Sequence, residues 1–104
     1  MICITMTPAV LDVEMHGHAG AERNAEGHDL VCCAASVLLQ TLVYWAQDGH
    51  MATVEGSIAK GDAHVRLVPG NGWNERALTA FSVMRSGMEM LQKAYPECIS
   101  IGYK

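Results

Sequence analysis

The sequence predicts an α+β fold: a single domain over residues 1–104, with an antiparallel sheet built of hairpins and two helices in the order ββαββαβ. Three observations predict it. A length of 104 residues with a 50% hydrophobic composition can bury one core but not two. Short alternating segments separated by turn residues pair off as hairpins, and two longer segments carry apolar residues at helical spacing. Hairpins in place of a strict β–α alternation select the α+β class.

The elements follow in order. Ile2 to Thr7 and Val10 to Met15 are β-branched or alternating runs parted by Pro8-Ala9, a first hairpin. Gly17 to His28 holds three glycines and no sustained period, so it reads as a loop, and loops of that length in a compact domain tend to be functional or mobile. From Asp29, a candidate N-cap, the residues Val31, Ala35, Leu38, Leu42 and Trp45 fall on one face of a helix ending near Asp48-Gly49. Ala52 to Ala59 and Ala63 to Val68 form a second hairpin through Lys60-Gly61-Asp62. After Pro69-Gly70-Asn71-Gly72, a second helix runs from Trp73 to Ala94 with Leu78, Phe81, Met84, Met88 and Leu91 as its buried stripe. Met84, Met88 and Met90 read as core and interface filler. Pro96 stops the helix, and Cys98 to Tyr103 makes a last strand.

Charge and thiol content narrow the function classes. Eleven acidic residues against seven basic ones give a net charge of −4 and no basic run, which argues against direct nucleic-acid binding. The acids concentrate early: up to Asp48 there are six, against Arg23 alone, while the remainder has six bases and five acids. The run from Val31 to Leu39 is shorter than the roughly 20 residues of a membrane span, so no membrane association is expected. Four cysteines, an adjacent Cys32-Cys33 pair and an N-terminus without basic residues read as reduced thiols in a cytoplasmic protein.

The same first half carries the chemistry. Cys32 lies about three residues after the expected cap, where unpaired amides and the helix dipole favour a thiolate nucleophile. His18, at the other end of the glycine-containing loop, could reach it if the loop folds back and then act as base and later as acid toward a leaving amine, which spacing alone does not establish. Cys33 points about 100° away on the helix and reads as packing, as do Cys3 and Cys98 in strands. A competing chemistry uses His16, His18, His28 and Cys32 as zinc ligands, although the paired C-x-x-C or C-x-x-H spacing of strong zinc sites is missing. His50 and His64 read as solvated or structural. No cofactor and no metal is expected.

The segment Gly17-His18-Ala19, followed by Gly27-His28-Asp29-Leu30-Val31-Cys32-Cys33-Ala34-Ala35-Ser36, resembles the GHA…GxDIVCAxxS signature of the Prp family, the ribosomal-processing cysteine proteases. Chain length and element order fit over the whole sequence. The resemblance implies His18 and Cys32 as the catalytic pair, Asp29 and Ser36 as supporting or substrate-lining residues, and a mobile loop hinged at Gly17, Gly20 and Gly27. It also implies the substrate: the N-terminal extension of a large-subunit ribosomal protein, the twenty-seventh in the usual naming, cut after an aromatic residue in a mostly apolar motif. A homodimer is expected from the family as well, and the alternative the resemblance leaves is a non-catalytic module that binds a ribosomal protein through the same groove. Two features depart from it. Cys33 stands where the family has a small residue such as Ala, and the loop before Cys32 is slightly longer.

Overall fold

The computed structural model describes residues 1–17, 26–59 and 61–104, with the side chains of residues 26–29 left undescribed. The order ββαββαβ is observed: β1 (Ile2–Thr7), β2 (Asp12–His16), α1 (Glu26–Asp48), β3 (Ala52–Ala59), β4 (Asp62–Pro69), α2 (Asn74–Ala94) and β5 (Ile99–Tyr103). The strands form one sheet in the order β3-β4-β2-β1-β5. Both hairpins are present, β1 with β2 and β3 with β4, and β2 pairs antiparallel with β4. The sheet is therefore mostly antiparallel, with β5 added parallel to β1 at one edge.

Alternation decides the two sheet faces. Ile2, Ile4, Met6, Val13, Ala63, Val65, Leu67 and Ile99 are buried together with residues of both helices in one core, so α1 and α2 cover the same side. The other face carries Cys3, Thr5, Asp12, Glu14, His16, Asp62, His64 and Arg66, as the strand registers require. This places Cys3 in the exposed class, whereas Cys98 is buried beside β5. The expectation that both were core fails for Cys3 because β1 turns its even-numbered residues inward.

Several boundaries differ from the sequence expectation. β2 begins at Asp12, because Pro8–Val10 form a single 3-10 turn closed by the Leu11 amide on the Pro8 carbonyl at 3.1 Å. α1 begins at Glu26, so Asp29 is the fourth helical residue and not the N-cap, and Gly27 belongs to the helix and not to the loop. One internal glycine costs a helix only about 1 kcal/mol relative to Ala, less than a long packed helix recovers. The C-terminus of α1 closes on His50, not on Gly49. His50 adopts φ 55° and donates to Gln47, while the Met51 amide donates to Ala46, the paired bonds of a Schellman stop.

The buried stripes also shift. In α1 the buried residues are Val31, Ala35, Leu39, Leu42 and Ala46, with Leu38 and Trp45 at the margin of the core. Rotating small alanines toward the sheet lets the helix approach closely, and Leu38 then packs over α2 at Gly87, where an added Cβ would lie 2.7 Å from the Leu38 side chain. In α2, Ala77 replaces Leu78 in the stripe; Phe81, Met84 and Met88 are buried, Leu91 is partly buried, and Leu78 and Met90 are exposed. The stretch Leu30–Asp48 has the length and apolarity of a membrane span, with a mean hydropathy of 1.5. Its buried face nonetheless packs in the core shared with the sheet.

Candidate active site

α1 crosses the sheet so that its first half faces the ends of four strands. Between them lies a groove of about 440 Å³, with Cys32, Cys33, Ser36 and Gln40 on the helix side, Ile2, Met15 and Ile58 on the strand side, and Leu39 also lining it. The fully buried Val31 and Ala35 fix the rotation of this part of the helix, which presents Cys32 and, one turn later, Ser36 on one side. Cys32 is half-buried against the core. Cys33 is exposed and lines the same groove, so its expected packing role is not observed.

Gly17 anchors the chain at this groove. Its φ of 94° lies in the region that favours glycine, its amide donates to the Gly61 carbonyl at 2.9 Å, and an added Cβ would fall 2.6 Å from the Met1 carbonyl oxygen. His18 follows Gly17 directly in the chain. His18 and Gly20 lie outside the described residues, as do the side chains of His28 and Asp29. Of the expected site residues, the structure thus brings Gly17, Cys32 and Ser36 to one groove. The early helix start moves Cys32 into the second turn, so the unpaired amides expected to favour its thiolate belong to residues well before it.

Two carboxylate–histidine pairs on the open sheet face escaped sequence reasoning. Nδ1 of His16 lies 2.5 Å from Oδ1 of Asp62. Asp12 is buried, with its Oδ1 2.7 Å from His64 Nε2 and accepting from Arg66 Nε at 3.3 Å. These contacts depend on the antiparallel register of β2 and β4, in which Asp12 stands opposite Arg66 and His16 opposite Asp62. Among the described residues, no group of three or more His, Cys, Asp or Glu side chains is arranged to hold a metal.

With this geometry in place, comparison with known proteins decides the family. The family model for cysteine protease Prp matches residues 1–100. The chain belongs to the Prp cysteine protease family. A solved structure described as an essential ribosomal processing protease Prp from S. aureus in complex with a substrate peptide shares 28% identity at a TM-score of 0.78, over 99% of this chain and 97% of that one. A second structure of the S. aureus protease, with a covalently linked product peptide, matches at the same identity, TM-score and coverage. SMU.848 from Streptococcus mutans, at 22% identity and a TM-score of 0.76 over 98% of this chain and 90% of that one, shares the Prp-like fold. No match was found among curated proteins. The protein is accordingly a Prp-family cysteine protease.

Proposed function

We propose that this Prp protein removes the N-terminal extension of a large-subunit ribosomal protein, the twenty-seventh in the usual naming, by acyl transfer through Cys32 and His18. The observation that carries the reading is the shared groove: Cys32 and Ser36 on α1 face Gly17, the residue immediately before His18. The S. aureus relative, described in complex with a covalently linked product peptide, supports covalent chemistry. In the proposed sequence, Cys32 Sγ gives up its proton to His18 and attacks the scissile carbonyl carbon. The C–N bond breaks as His18 returns the proton to the leaving amine, and a thioester remains. Water, deprotonated by His18, then attacks the thioester, releasing the carboxylic acid and restoring the thiol. The apolar side chains of Ile2, Met15, Leu39 and Ile58 suit an apolar or aromatic residue of the substrate.

We place the enzyme in the cytoplasm, where reduced thiols persist. We further propose a homodimer formed through the helical layer, because Val37, Tyr44, Leu78, Val83 and Met90 leave apolar side chains exposed there.

The test of the nucleophile is a pair of variants assayed on a peptide spanning the extension and its junction. Cys32→Ala should fold and lose cleavage, while Cys33→Ala should keep it. Cleavage retained by Cys32→Ala and lost in Cys33→Ala would transfer the role to the second thiol.

A further inference from the structure

We propose that Asp62 is a specificity determinant that favours a cationic side chain in the peptide segment leaving the groove, a reading that rests on the groove being the peptide cleft. Among the described residues, Asp62 is the one charged residue of the groove lining; its companions there are apolar, small or neutral polar. It occupies the first position of β4, where the groove meets the open polar face of the sheet. A chain emerging over that end of the sheet therefore meets the Asp62 carboxylate first.

The carboxylate is held for this purpose. His16 Nδ1 engages Oδ1 at 2.5 Å, while the side chain remains 71% exposed. Two other acids of this sheet face are placed differently. Asp12 is paired with the Arg66 guanidinium and hydrogen-bonded to His64, and Glu14 stands opposite His64, one step farther from the groove. A Lys or Arg of the substrate can approach Oδ2 without displacing His16, whereas a substrate carboxylate there meets like charge. Because the site is exposed, discrimination is modest and weakens with salt.

The experiment uses a peptide series that differs only in carrying Lys, norleucine or Glu at successive positions on either side of the scissile bond. Specificity constants are measured for the wild-type protein, Asp62→Asn and Asp62→Lys, with circular dichroism to check folding. The wild type should prefer Lys over Glu by about tenfold at one position, the sum of one attraction gained and one repulsion avoided at an exposed site. Asp62→Asn should flatten that ratio and Asp62→Lys should invert it, both effects shrinking in high salt. Equal ratios for all three proteins at every position would overturn the proposal. If the wild type cuts none of the peptides, the protease reading of the groove fails separately. Anisotropy of the labelled peptides bound to Cys32→Ala then decides for Asp62: a Lys-over-Glu preference abolished by Asp62→Asn supports it, and no difference overturns it.

Discussion

Cys32 and Cys33 are adjacent in sequence and both border the groove, yet only Cys32 is packed against the core. A half-buried thiol is held in one orientation, as a nucleophile attacking a fixed carbonyl must be, whereas the exposed Cys33 has no such constraint. For the partner base, His18→Ala should lower kcat by about a hundredfold or more, the usual scale of general acid–base catalysis, while KM changes far less. Steady-state kinetics on the junction peptide separate the two parameters, and a rise in KM at unchanged kcat would make His18 a binding contact. The proposed nucleophile could be picked from the sequence because it sits in a motif of the family whose model matches the chain. The Asp12 cluster was not, because its partners His64 and Arg66 come from a strand some fifty residues away and only the β2–β4 register unites them. Replacing Asp12 by Ala removes a buried acceptor but leaves two half-exposed donors that water can satisfy. Denaturant unfolding should therefore show a loss of about 1 to 2 kcal/mol.

At the level of elements, the order of strands and helices could be read from period and turn residues, while the rotation of the helices could not. α1 offers two apolar choices at most turns, Leu38 or Leu39 and Trp45 or Ala46, and the structure selects the smaller or better-placed one to let the helix approach the sheet. Pairing of β5 with β1 likewise needs contact between the chain's two ends, which no local pattern encodes. Gly17 joins element to function. Gly17→Ala combines a left-handed backbone with a close approach to the Met1 carbonyl, so it should cost about 1 to 3 kcal/mol in thermal or denaturant unfolding and reduce cleavage by misplacing the residue that follows. The far edge gives an independent check. Tyr103 on β5 donates its hydroxyl to Glu89 on α2, and burial, reinforced by Glu89, pushes its phenol up to about 12 from 10.0. The folded protein favours the protonated phenol, so this contribution to stability is complete below pH 10 and is lost as the pH rises toward 12. Ultraviolet titration of the phenolate should find this late midpoint, and Glu89→Gln should bring it back toward the ordinary value.

For the whole molecule, the two sheet faces divide the work. The helical layer supplies core residues, the groove thiol Cys32 and exposed apolar side chains, and the uncovered face supplies carboxylate–histidine pairs that end at the groove in Asp62. A net charge of −4 complements the proposed substrate, the peptide tail of a basic ribosomal protein, whose recognition needs no surface for RNA. Family membership was legible from the stretch between Gly17 and Ser36, whereas the groove depends on four strand ends and one helix converging. The most direct test mixes the purified protein with the extended ribosomal precursor and records product masses. The account predicts loss of the N-terminal extension at a single junction with the wild-type protein and none with Cys32→Ala. An unchanged precursor mass with the wild type, or the same cut made by Cys32→Ala, would contradict it.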